Sequence, residues 1–219
     1  MALAGRQVRE LETPQGTARL HISRARRPRA TVLLSHGAGG GVDAPDLVAL
    51  DAGLPRLDVT VIRLEQPWRV AGRKIAGPPA SLDAALVAVA SQLRTRTPLV
   101  LGGRSAGARS AARCARTLGA SGVLALAFPL HPPGKPERSR LEELLGAGVP
   151  TLVVQGERDP FGRPEEFPAD SARRRLVVVP EAGHELTVRA RAALTPEEVA
   201  ALIVEATEEW LEREVVGTG

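Results

Sequence analysis

From Pro98 to Gly107 the chain reads Pro-Leu-Val-Leu-Gly-Gly-Arg-Ser-Ala-Gly. A short apolar strand runs straight into Gly103-Arg104-Ser105-Ala106-Gly107, a G-x-S-x-G elbow. A serine on a strand-to-helix turn sits in a strained backbone conformation with its hydroxyl projecting above the sheet. The residues two before and two after it pass so close to the neighbouring chain that glycine is the natural choice. The small side chains that follow, Ala106 to Ala112, suit a helix packed tightly beside a sheet. Many Gly-Ser turns carry no chemistry; the strand before and the helix after are what single out Ser105 as a candidate nucleophile.

Outward from the elbow, strand-like and helix-like stretches alternate, which predicts an α/β fold with a mostly parallel central sheet and helices on both faces. Apolar runs at Ala30–Ser35, Val59–Leu64, Leu99–Gly102, Val123–Phe128, Thr151–Gln155 and Leu176–Val179 read as buried strands. An N-terminal hairpin is expected from Gln7–Leu11 and Thr17–Ile22. A helix is expected over Ser81–Leu93, with Ser81 as its N-cap. The last helix opens with Thr195-Pro196-Glu197-Glu198, a capping box with proline at the first helical position. No repeat, low-complexity tract or long linker divides the 219 residues, so one domain spanning 1–219 is expected.

In such a sheet, functional groups gather beyond the carboxyl ends of the strands. After Ala30–Ser35 comes His36-Gly37-Ala38-Gly39-Gly40-Gly41, a Gly-rich turn without the Lys-Ser/Thr of a phosphate loop. Backbone N–H groups of Ala38 and Ala106 are the expected oxyanion donors. After Thr151–Gln155 come Glu157 and Asp159, and after Leu176–Val179 comes His184. The order Ser105, Asp159, His184, each on the loop after its own strand, is that of a nucleophile, an orienting acid and a base. Glu157 and Asp159 point the same way in an extended stretch, so spacing alone does not separate them.

The remaining polar candidates have plainer readings. His36 is expected to prop the Gly-rich loop, and His21 to be a strand residue. His131, on the loop after Val123–Phe128, and Trp68, on the loop from Pro67 to Pro79, are candidate substrate contacts. That second loop also carries Arg69, Arg73 and Lys74, which would attract an anionic substrate; the plainer reading is a solvated basic loop with Trp68 packed beneath it. No cluster of His, Cys and acids has metal-ligand spacing, so neither metal nor cofactor is expected.

Charge excludes little and misleads easily. The sequence pI is about 10.4, yet the net charge is only +4. With no tyrosine, one cysteine and few lysines, little titrates between neutrality and the arginines. Those arginines form no long basic tract, and the five aromatics (Trp68, Trp210, Phe128, Phe161, Phe167) are too few for base stacking. A small-molecule substrate is expected, with neither nucleic acid nor membrane as partner. The N-terminus lacks an apolar leader, no run reaches transmembrane length, and the lone Cys114 fits a reducing cytoplasm.

Five segments together resemble a known family: Ser-His-Gly-Ala-Gly-Gly, Gly-Gly-Arg-Ser-Ala-Gly-Ala-Arg, Phe-Pro-Leu-His-Pro-Pro-Gly-Lys-Pro-Glu, Val-Gln-Gly-Glu-Arg-Asp-Pro-Phe-Gly and Ala-Gly-His-Glu-Leu. They are similar to the small lidless α/β-hydrolases, of dienelactone-hydrolase-like type, related to the testis-expressed 30 protein and to the hydrolase-like subunit 3 of the NSL acetyltransferase complex. The segment from Leu130 to Glu137 is the most family-specific. The resemblance implies Ser105 as nucleophile, Asp159 as acid and His184 as base. Arg104, Ala106 and Ala108 depart from the commoner Gly-Lys-Ser-Met-Gly-Gly elbow but keep its backbone donors. The expectation is a serine hydrolase of an ester or thioester of a small carboxylic acid, without a cap domain. The rival is a hydrolase-shaped scaffold subunit, whose expected mark is a lost triad member; here none is lost.

Overall fold

A computed structural model describes residues 5–217. Eight strands form one sheet: β1 (Arg6–Thr13), β2 (Gly16–Ser23), β3 (Ala30–Ser35), β4 (Val59–Glu65), β5 (Leu99–Arg104), β6 (Gly122–Leu126), β7 (Thr151–Gly156) and β8 (Arg174–Val179). Six α-helices accompany them: α1 (Pro45–Gly53), α2 (Pro67–Val70), α3 (Pro79–Gln92), α4 (Ala106–Ala115), α5 (Leu141–Leu145) and α6 (Pro196–Leu211). Across the sheet the order is β1-β2-β4-β3-β5-β6-β7-β8. The β1–β2 hairpin is antiparallel and β2 pairs antiparallel with β4; every later pairing is parallel.

The central strands are apolar at consecutive positions because both faces are covered. Along β3, Val32 and Leu34 face α1 and α6, while Leu33 faces α3 and α4. The same alternation places Leu124 and Leu126 of β6 on the first face and Val123 and Ala125 on the second. Helix α6 closes the first face with Val199, Ile203, Trp210 and Leu211, all buried, and each such side chain contributes about 1.5–3 kcal/mol on leaving water. Its start is the expected capping box: Thr195 Oγ1 accepts from the Glu198 N–H at 3.2 Å, and Glu198 accepts from the Thr195 N–H at 2.7 Å.

Two local expectations are corrected. Helix α3 begins at Pro79, not Ser81, because proline's fixed φ suits the first turn. Ser81 is therefore inside the helix, and its hydroxyl donates to Pro78 O at 2.7 Å instead of capping. The strand expected to reach Phe128 ends at Leu126, where Ala127 turns to φ 45° and breaks the extended chain. Helix α1, whose Pro45 opens it and whose Leu47 and Leu50 are buried, has no counterpart in the sequence reading.

Strand β3 lies between β4 and β5, so the chain leaves it in one direction through α1 and returns on its other side through α3. That reversal opens a crevice beyond the carboxyl ends of β3 and β5. Into it project the Gly37–Gly41 turn and Ser105.

Candidate active site

Strand β5 delivers Ser105 at φ 52°, ψ −114°, a conformation costly for any residue with a side chain. The turn is held by the Ser105 N–H, which donates to Leu126 O at 2.9 Å, and by α4, which starts at the next residue. The flanking glycines have a steric origin. A Cβ on either Gly103 or Gly107 would overlap the Ser35 carbonyl at the end of β3. Strand, elbow and helix therefore fit only because both positions lack side chains.

The three residues singled out from the sequence meet at this point. His184 Nε2 lies 2.9 Å from Ser105 Oγ, and His184 Nδ1 lies 2.8 Å from Asp159 Oδ2. Asp159 is fully buried and accepts two further bonds, from Gln155 Nε2 at 2.8 Å and from the Phe161 N–H at 2.8 Å. With the carboxylate acting only as acceptor, the imidazole proton sits on Nδ1 and Nε2 is free to accept the serine hydroxyl proton. The Phe161 ring stacks on the imidazole, with centroids 4.2 Å apart. Glu157 is not part of this cluster: it is exposed, and its carboxylate accepts from the Glu181 N–H at 2.6 Å.

Beside the elbow is a cavity of about 430 Å³ between Ala38, Gly39, Ala106 and the segment Lys74–Gly77, a volume suited to a small organic molecule. Neither Ala38 N–H nor Ala106 N–H donates to another group among the described residues. Ala106 is the first residue of α4, where N–H groups have no intrahelical partner and the helix dipole is positive. Arg109 and Arg113 also line the cavity, but Glu143 and Asp83 neutralise them through bonds of 2.6–2.8 Å. Lys74 has no carboxylate partner among the described residues.

The supporting groups emerge only in three dimensions. The side chain of Arg104, the residue before the serine, is buried and reaches away from the cavity. Its Nε donates to Asp46 Oδ2 at 3.1 Å, and its terminal nitrogens contact the His184 carbonyl at 2.7 Å and Glu185 at 3.1 Å. One guanidinium thus ties the elbow to the backbone of the histidine loop and to α1. Burial pushes the Asp46 carboxyl above the usual carboxylate range, against the pull of Arg104. His36 is buried; its Nδ1–H donates to Gly37 O at 2.8 Å and its Nε2 accepts from the Gln66 N–H at 3.1 Å. A proton on Nε2 would confront that N–H, and burial holds His36 below its ordinary value.

The other two sequence candidates lie elsewhere. Trp68 is buried edge-on to His36, centroids 5.5 Å apart, beside a separate small cavity that also includes Arg73. His131 is engaged through Nδ1 by Pro132 O at 2.9 Å and through Nε2 by Glu166 at 2.8 Å. Neither belongs to the lining beside Ala38 and Ala106.

A mostly parallel eight-stranded sheet with a strained serine at its switch point is the architecture of an α/β-hydrolase. The chain belongs to that family: its residues 28–212 match the alpha/beta hydrolase domain. Solved structures share the fold at low identity. An alpha-beta serine hydrolase homologue from Coxiella burnetii is 18% identical, covering 94% of this chain and 98% of that one, with a TM-score of 0.73. A serine hydrolase without lid from Xanthomonas campestris is 19% identical over 96% and 97% of the two chains, with a TM-score of 0.71. A dienelactone hydrolase from Anabaena variabilis is 16% identical over 96% and 98%, with a TM-score of 0.73. No curated protein shows significant sequence similarity to the chain.

Proposed function

We propose that this α/β-hydrolase cleaves an ester or thioester of a small carboxylic acid through an acyl-enzyme on Ser105. The observation that carries the reading is the continuous Ser105–His184–Asp159 hydrogen-bond chain, at 2.9 Å and 2.8 Å, ending on a buried carboxylate. His184 Nε2 takes the hydroxyl proton as Oγ attacks the carbonyl carbon, and Asp159 stabilises the imidazolium through Nδ1–H. The uncommitted N–H groups of Ala38 and Ala106, one of them at a helix N-terminus, receive the oxyanion. The imidazolium returns its proton to the departing alcohol or thiol. Water, activated by the same imidazole, then releases the acid.

Complete triad geometry favours catalysis over a scaffold role. Lys74, a cavity cation without a carboxylate partner among the described residues, supports a preference for acyl groups with a negative charge. Within the family we assign the chain to the lidless group resembling the testis-expressed 30 protein, on the Leu130–Glu137 segment. A cytoplasmic location accords with the single cysteine: Cys114 is buried and its thiol is pushed up to about 11, chiefly by burial. No helix among the described residues is long and apolar enough to cross a membrane.

The test is covalent labelling by a fluorophosphonate, with turnover of small activated esters. Wild type should label at Ser105 and hydrolyse. Ser105→Ala should fold, fail to label, and lose activity on the order of 10³-fold or more. Undiminished hydrolysis by that variant overturns the assignment.

A further inference from the structure

We propose that the end of the sheet opposite Ser105 carries a second binding site, for a small organic anion with an apolar body such as a phosphate monoester. The feature is a cavity of about 480 Å³ whose rim carries Arg9, Arg24, Arg94 and Arg96. It lies where β3 and β4 begin, at Thr31 and Thr60, and against the loop Leu93–Thr97 that leads into β5. The whole of β5 separates that loop from the elbow, roughly 20 Å for six extended residues. The two cavities have no lining residue in common.

Charge here is one-sided. No carboxylate lines the cavity, and none of the four arginines forms an ion pair among the described residues. By contrast Arg19, Arg63, Arg104, Arg109 and Arg113 each meet a carboxylate. Strand pleating explains the difference. Successive side chains of β1 point to opposite faces. Arg9 shares the face of the buried Leu11, whereas Glu10 points to the other, where it binds Arg19 at 3.0 Å. Arg24, Arg94 and Arg96 arrive from two separate connections. No acid stands between Glu12 and Asp43 or between Asp83 and Glu137, so Arg24, Arg94 and Arg96 come from acid-free stretches, and the fold brings Arg9 to the same rim.

The floor is apolar, built from Leu20, Ile22 and Ile62. Between floor and rim, the Thr31 and Thr97 hydroxyls bond each other at 2.9 Å. That bond uses one of their two protons and leaves the other to donate. The Thr60 hydroxyl accepts from the Ala25 N–H at 3.2 Å and likewise retains its proton. Guanidinium forks recognise phosphate or carboxylate oxygens in pairs, and hydroxyl donors complete the set. The apolar floor needs a hydrocarbon part, and the volume fits a small molecule. No aromatic side chain lines the cavity, so a stacked base is not the expected occupant.

The experiment is a calorimetric titration of wild type with phenyl phosphate, inorganic phosphate and phenol, at low and high salt. A parallel arm measures co-sedimentation with phosphatidylglycerol vesicles. Phenyl phosphate should bind saturably at one site, tighter than either fragment, and weaken as salt rises. The exposed-loop double variant Arg94→Glu with Arg96→Glu should lose about tenfold or more in affinity. It should keep wild-type ester turnover, and Ser105→Ala should keep wild-type binding, so this site and the Ser105 assignment stand or fall separately. The proposal is overturned by absence of saturation at millimolar phenyl phosphate or by undiminished binding in the double variant. It is equally overturned if inorganic phosphate binds as tightly, or if only vesicles are bound.

Discussion

Replacing Arg104 with methionine removes the cation that faces Asp46 in the buried space between the elbow and α1. Asp46 has no exposed side-chain surface and keeps backbone donors, the Leu47 N–H at 2.9 Å and its own N–H, but no cation. Removing one partner of a buried ion pair costs about 3–5 kcal/mol, because the other charge remains desolvated. Loss of the 2.7 Å bond to the His184 carbonyl adds about 1 kcal/mol. Two effects pull the other way: methionine fills most of the arginine stem's volume, and Asp46 escapes part of the cost by taking up a proton. A loss of about 3–5 kcal/mol is the expected net, a large share of the ~5–15 kcal/mol typical of a domain. The assay is urea unfolding at pH 5 and pH 7. Burial already raises the Asp46 pKa, and loss of Arg104 raises it further. A carboxyl raised on folding contributes stability that is fully present below its unfolded value and is lost as pH rises through its folded value. The variant's deficit should therefore be larger at pH 7 than at pH 5. Adding Asp46→Asn should recover much of it. A deficit under about 1 kcal/mol, or one identical at the two pH values, would refute the account of a buried, uncompensated charge.

Asp159→Asn should reduce turnover on the order of 10⁴-fold by disfavouring the productive tautomer of His184, while Glu157→Gln stays near wild type; steady-state kinetics of both variants decide between the carboxylates. Two other histidines should give stability opposite pH slopes on either side of the ordinary value of 6.5. His131 is raised by its bonds to Pro132 O and Glu166, so its contribution is full below pH 6.5 and is lost as pH rises through the raised value. His36 is lowered by burial, so stability falls as pH drops from 6.5 through its lowered value. Denaturant titrations from pH 5 to pH 8.5 should show His131→Gln with a flatter alkaline limb and His36→Gln with a flatter acid limb; parallel curves would contradict both.

What the sequence alone determined is whatever local sterics and strand order dictate. Consecutive apolar residues at Ala30–Ser35, Leu99–Leu101 and Thr151–Val154 required strands covered on both faces. The Gly-Arg-Ser-Ala-Gly spacing required an elbow, because only glycine clears the Ser35 carbonyl at positions 103 and 107. With parallel strands, each residue just past a strand had to arrive on one rim. Strand order thus brought Ser105, His184 and an acid just past β7 to one rim, and the family resemblance pointed to Asp159 as that acid. Tertiary structure decided what depends on direction and partner. Glu157 and Asp159 share a strand direction, but only the turn at Gly156–Gly162 takes Glu157 to the Glu181 backbone and Asp159 to His184. Arg104 read as an elbow variant; its length lets it cross to Asp46 and the His184 carbonyl, 58 and 80 residues away in sequence. Trp68 and Lys74 sit on one loop, yet α2 turns the first inward while the second reaches the cavity. The cation-only rim draws Arg24, Arg94 and Arg96 from acid-free stretches visible in the chain, but only the fold brings those two connections together and, through the pleat of β1, adds Arg9 without Glu10.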